Sequence, residues 1–248
     1  TSLLPTTGWP AGSWVDPGTI GQPWGSVPGV LTFRGSPTRS WHGTGPVPVD
    51  PVVAWRFPRD GKMCSLSVVG DVEKEWCGVG WTGQPAVFQR DGHTWVVFGG
   101  LDGRVHFIDG ITGARRLPDF TTGDLAKGSV TVDPDGYPLV YVGSRDDLMR
   151  VIAFDRDEPV ELWSLHAEDS GQPLWNTDWD AAPLVLADHL FAAGENSRFH
   201  VVRLRRGYDA DGLVTVDPDL VWFTHGWDNQ LIADVGYNLS IENSPLVI

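Results

Sequence analysis

The stretch WNTDWDAAP concentrates Asn176, Asp178 and Asp180 in a few positions. Oxygen donors gathered in this way suit a hard cation, calcium first among them. The same residues also suit a plainer task, capping strand ends and satisfying backbone groups. A second polar stretch, GENSRFH, sets Glu195, Asn196 and Arg198 where a comparable turn earlier in the chain is simply Asp102-Gly103. That added polarity either faces a ligand or fills a longer turn. Five tryptophans, Trp76, Trp81, Trp175, Trp179 and Trp227, fall next to the loops that lead into repeated units of the chain. Their faces suit stacking on sugar rings, or wedging into a core.

Several familiar catalytic patterns are missing from the chain. It holds no Gly-x-Ser-x-Gly elbow, no His-Glu-x-x-His pair and no Gly-x-x-x-x-Gly-Lys phosphate loop. The stretches from Asp133 to Gly136 and from Asp209 to Gly212 open as calcium loops do. Both lack the glycine at the sixth position and the terminal glutamate, and both are read as turns. The seven histidines are scattered without ligand spacing. Asn238-Leu239-Ser240 matches a glycosylation sequon, a motif short enough to arise by chance.

The elements that must position these residues show in a repeat. From Gln84 onward, short apolar runs alternate with turn dipeptides, Asp91-Gly92 and Asp102-Gly103 in the first unit and Asp135-Gly136 in the second. Each unit reads as four short strands in a meander. Units begin near Pro85, Ser129 and Pro183, and again at Pro245. This spacing predicts an all-β fold, a β-propeller of four-stranded antiparallel blades similar in layout to those of WD40 repeats. One blade cannot bury both faces alone, so blades must stack about an axis. Before the first full unit, the run from Pro51 to Pro58 reads as the outer strand of an earlier blade. Residues 1–30, rich in Pro, Gly, Trp and Ser, read as an extended arm or a strand lying on the body. Residues 31–248 read as an incomplete ring of about four blades, the last begun at 244–248. In such a ring, the leads into the innermost strands place Thr82, Lys127, Asp180 and Glu242 with Asn243 near the axis. Acids and a base converging there suit a cation or a small polar ligand.

The chain resembles the pyrroloquinoline-quinone-like propeller family. The resemblance rests on Phe33, Arg34, Gly35 and Pro37 ahead of Trp55 and Phe57. It rests also on the pattern Gly99, Gly100, Asp102, Gly103, Asp109, Thr112 and Gly113. It implies a propeller over residues 31–248, in a superfamily that holds dehydrogenases and assembly proteins alike. The dehydrogenases cover their quinone with adjacent cysteines. Here Cys64 and Cys77 are not adjacent, so quinone binding is not expected.

Those two cysteines flank a short segment with no metal spacing, which favours a disulfide and an oxidising compartment. Closing a loop of that length stabilises by about 3 kcal/mol through lost chain entropy. The net charge of −14, from 18 basic and 32 acidic groups, sets the chain against nucleic acid and anionic membrane. No run reaches the roughly 20 apolar residues of a membrane helix. The opening TSLLPTTGWP lacks the regions of a signal peptide and reads as processed or trimmed. The expected function is a secreted, non-catalytic binding or assembly module. Its ring is expected to be completed by a second chain or by the C-terminal part of the same precursor. The alternatives are a cofactor- or metal-dependent enzyme with its site at the channel, and a carbohydrate-binding propeller.

Overall fold

The computed structural model describes residues 24–41, 49–80 and 83–246. In chain order the elements begin with β1 (Gly29–Val30), followed by the hairpin β2 (Cys64–Val69) and β3 (Val72–Cys77). Three four-stranded meanders follow. Blade 1 is β4 (Ala86–Arg90), β5 (His93–Gly100), β6 (Arg104–Asp109) and β7 (Phe120–Thr121). Blade 2 is β8 (Thr131–Val132), β9 (Leu139–Gly143), β10 (Leu148–Ala153) and β11 (Val160–His166). Blade 3 opens with β12 (Leu184–Leu186), β13 (His189–Ala193) and β14 (Arg198–Arg203). An inserted hairpin, β15 (Gly207–Tyr208) and β16 (Val214–Thr215), precedes its outer strand β17 (Asp219–His225), and the helix α1 (Asn229–Val235) comes last. Neighbouring strands in each blade pair antiparallel. The fold is all-β, a run of consecutive propeller blades. The hairpin turn Asp91-Gly92 has positive φ at both residues, as the primed turns that match strand twist require.

Burial follows from where each blade sits. Every residue of β9 is buried, and so is all of β10 but Leu148, because blade 2 is covered on both faces. Phe154, just after β10, meets Phe88, Trp95 and Phe107 of blade 1 at ring separations of 6.1, 5.5 and 5.9 Å. Blade 3 is asymmetric. Leu190, Ala192, His200 and Val202 on one face are fully buried. On the other face Phe191, Val201 and Trp222 lie in one cross-strand row, half-buried or exposed.

The backbone repeats in wiring as well as in strands. In blade 1, Leu101 N–H donates to Gly78 O, and Ala126 N–H donates to Gly100 O. In blade 2 the same two bonds run from Arg145 to Leu125 and from Trp179 to Ser144. In blade 3 they run from Glu195 to Asp178 and from Ile241 to Gly194. The leads also touch backbone to backbone. A Cβ on Gly128 would lie 2.3 Å from Asp180 O, so only glycine fits there.

Residues 24–39 run along the axis-side edge of the blades. β1 pairs with β4, making the first sheet five-stranded rather than four. Leu31 O then accepts from Val132 N–H, and Thr32 Oγ1 lies 2.8 Å from Thr131 Oγ1. Inner strand edges that would otherwise be open are thus capped by this segment. Arg39 sits at its end with 6% exposure. Its guanidinium donates to Thr32 Oγ1 and to the carbonyls of Phe33, Ala182, Pro183 and Pro245. Burial, with no carboxylate partner among the described residues, pulls its pKa down to about 10.

One expectation fails. The run from Pro51 to Pro58 forms no strand. Its alternating apolar residues suit a strand, but a strand needs a partner backbone, and two prolines bound this one. Val52 and Val53 are exposed, while Trp55 anchors to blade 1 through its indole N–H on Gly110 O at 3.0 Å. Residues 1–23, most of the expected arm, lie outside the described residues, as do 247–248 at the last expected blade start.

Candidate functional site

The wiring that holds the leads together also gathers their charged side chains. Lys127 stands in the lead to β8, and Asp178 and Asp180 in the lead to β12. Arg145 and Glu195 occupy the same slot in consecutive blades, the turn between second and third strands. These five converge. Lys127 Nζ lies 2.6 Å from Asp180 Oδ2, 3.1 Å from Asp178 Oδ2 and 3.7 Å from Glu195 Oε1. Arg145 Nε lies 2.8 Å from Asp178 Oδ2. Asn176 Nδ2 donates to Glu195 Oε2 at 2.7 Å. The side chains of Asp178, Asp180 and Glu195 are each less than a tenth exposed.

Above the cluster is a cavity of about 290 Å³, lined by Trp76, Trp175, Asn176, Glu195, Asn238 and Glu242 among others. Trp76 comes from the β2–β3 hairpin, which the Cys64–Cys77 bridge closes. The hairpin is tied down by Ser67, whose hydroxyl donates to Asp124 and accepts from Arg145.

Three buried carboxylates face two cations, and burial together with the surplus charge shifts Glu195 and Asp180. Burial, joined by the charges of Asp178 and Asp180, raises the Glu195 pKa to about 7 against the lowering pull of Asn176 and Lys127. Burial also raises Asp180. Burial alone would lower Lys127, but the charges and hydrogen bonds of Asp180 and Asp178 raise it. Near neutral pH, Glu195 is therefore poised between neutral acid and carboxylate, within hydrogen-bond reach of Asp180. A cluster in this state can accept one more cationic or hydrogen-bonding group. One oxygen each from Asp178, Asp180 and Glu195 falls within 4.8 Å of the others, a span that a metal ion could bridge.

The residues singled out in the sequence divide. Lys127, Asn176, Asp178, Asp180, Glu195 and Glu242 come together at this cavity. Asn243 is exposed and does not line it. Asn196 turns inward, its amide donating to Ala167 O and its oxygen accepting from Arg198 N–H. Arg198 closes a loop by donating to the carbonyls of Gly171 and Gln172. Trp179 is core at 0% exposure, with its indole N–H on Asp147 O, so it presents no face to a sugar. Thr82 and Trp81 lie outside the described residues. Sequence reasoning missed Arg145 and Arg39. Arg145 had a usable signal, since it stands two positions after Gly143, in the slot that Glu195 fills in the next unit. Arg39 had none, because the carbonyls that bind it in the later blades are more than a hundred positions away.

No family model matches the chain, and no curated protein matches it. Among solved structures, BamB from Moraxella catarrhalis is similar at 18% identity and a TM-score of 0.41. The similarity covers 63% of this chain and 41% of that one, so the chain spans well under half of that structure.

Proposed function

We propose that the protein is a secreted, non-catalytic binding or assembly module. In this proposal further blades, from a second chain or from the C-terminal part of the same precursor, seat on blade 3 and complete the ring. The observation that carries it is the third repetition of the backbone wiring. Ile241 N–H reaches Gly194 O as Ala126 and Trp179 reach their own preceding turns. Beyond it, Ser244 Oγ accepts from Ala182 N–H, as Ser129 Oγ accepts from Gln84 N–H one blade pair earlier. This supports reading residues 241–246 as the lead into a fourth blade. The apolar row of Phe191, Val201 and Trp222 on blade 3 is then the face that blade would cover. The Cys64–Cys77 disulfide supports an oxidising compartment.

The cavity over Lys127 is proposed to hold a small polar ligand. Trp76 and Trp175 on its rim favour a sugar ring, and the carboxylate trio favours calcium as the competing occupant. A cation there must displace the Lys127 ammonium from Asp180, which weighs against tight binding. A quinone- or metal-dependent enzyme would need the same cavity, and absorbance plus metal analysis of native protein separates it from a binding module.

Light scattering and intact-mass measurement on protein isolated natively test the proposal. The expected species exceeds the 27.1 kDa of this chain and contains further propeller repeats. A uniform monomer of about that mass would overturn it.

A further inference from the structure

A second cavity, of about 640 Å³, lies on blade 1. One wall is the segment with Trp55, Arg56, Phe57 and Arg59. The other is the turn Thr112–Arg115 after β6. In a chain of net charge −14, three arginines lining one cavity is a concentration against the average. Arg56 and Arg59 are exposed and make no ion pair or hydrogen bond among the described residues.

The third guanidinium is built in. Asp119 holds Arg115 by two bonds of 2.9 Å, from Nε and Nη2. This leaves Nη1 without a hydrogen bond among the described residues. Asp119 is itself fixed by His106, whose Nδ1 lies 3.0 Å away and whose Nε2 lies 3.1 Å from Asp102. His106 is fully buried under Phe57 at a ring separation of 5.0 Å, and Arg115 stacks on the same Phe57 at 4.8 Å. The other wall is equally fixed. Gly113 has φ +70°, and a Cβ there would meet the Trp55 indole at 2.7 Å. A fork held in place loses little freedom on binding, and guanidinium geometry matches tetrahedral oxyanions.

We infer that this cavity is a binding site for a small phosphate or sulfate ester, with Arg56, Arg59 and Arg115 on the oxyanion and Phe57 and Trp55 beside the group that carries it. The site is separate from the Lys127 cavity and does not depend on ring completion. It needs only the described walls. Phosphate and sulfate esters share the tetrahedral oxyanion and differ in charge, so the choice of probe tells them apart.

Calorimetric titration with phenyl phosphate, phenyl sulfate, benzoate and phenol at low salt tests the inference. Phenyl phosphate or phenyl sulfate is expected to saturate a single site, the tighter of the two naming the natural class, with benzoate weaker than either. Phenol is expected to bind at least about tenfold more weakly. The Arg56→Gln/Arg59→Gln protein should lose the esters by a similar factor, since removing a charge-assisted hydrogen bond costs about that much. Both substituted side chains are exposed and make no hydrogen bond or ion pair among the described residues, so the thermal midpoint should hold. Arg115→Lys, which keeps charge but loses the fork, is expected to weaken binding with the salt dependence retained. Arg34→Gln/Arg203→Gln, the same charge change away from the cavity, should leave affinity within about twofold. Phenol binding as tightly as the esters, an unaffected Arg56→Gln/Arg59→Gln protein, equal loss in the remote control, or no saturation at millimolar probe would each overturn the site.

Discussion

Glu195 is the residue whose chemistry differs most from its ordinary behaviour. Its pKa rises from 4.5 to about 7 through burial beside two other carboxylates. The folded state therefore keeps a proton that the unfolded chain gives up near 4.5. Stability contributed at this position is present below pH 4.5, falls as pH rises and is gone above about 7. Glutamine imitates the protonated carboxyl. Glu195→Gln should match the parent at about pH 4 and exceed it at about pH 8 by about 1 kcal/mol, allowing for screening by solvent that reaches the cavity. That corresponds to about 2–4 °C in thermal midpoint, read from melts across the pH range. A gain independent of pH would show that the carboxyl is not strained by its neighbours. Asn176, Asp178 and Asp180 were legible as an oxygen cluster in the sequence. The ammonium already seated among them was legible only as a neighbour on the axis.

At the scale of elements, charged side chains rivet one blade to the next. Arg206, after β14, reaches Asp133 and Asp135 in the β8–β9 turn at 2.7 and 2.8 Å, and Asp188 in the β12–β13 turn at 2.9 Å. Asp133 is fully buried and also accepts from Tyr141. Arg206→Met would leave that carboxylate without a cation in the interior. A loss of about 3–5 kcal/mol is expected from denaturant titration. Adding Asp133→Asn should recover part of it, since the uncompensated charge goes. If the double variant is no better than the single one, packing rather than charge carries the joint. The strands that this pair connects were readable from turn dipeptides and apolar runs. The long-range pairing was not, because it joins turns 71 to 73 positions apart.

For the whole molecule, the axis is organised by one chain segment rather than by the blades alone. Arg39 ties residues 32–33 to 182–183 and 245 through five acceptors. Arg39→Met takes the donor from the carbonyls of Phe33, Ala182 and Pro245, while Thr32 and Pro183 keep the Thr131 hydroxyl, and each buried group left unpaired costs about 1 kcal/mol or more. A loss of about 3–5 kcal/mol is expected, with little recovery from Arg39→Lys, whose single ammonium cannot span the acceptors. Equilibrium unfolding of the two variants checks it, and a full rescue by lysine would show that only the charge matters.

The sequence by itself determined the strands of the three blades, their order in each blade and the turns between them. Those depend on period-two patterning and on glycines at positive φ, both local properties. It also marked Cys64 and Cys77, which face each other across the β2–β3 hairpin. Tertiary structure alone decided which polar residues meet. Asn196 and Arg198 had the composition of a site and became loop braces, whereas Arg145 and Asn238 joined the cavity. It also decided that residues 51–58 would not pair as a strand and that 54–57 among them would line a pocket. The physical reason is common to both outcomes. Strand formation is signalled by neighbours in sequence, but the fate of a polar or unpaired group is set by whichever distant backbone or charge satisfies it.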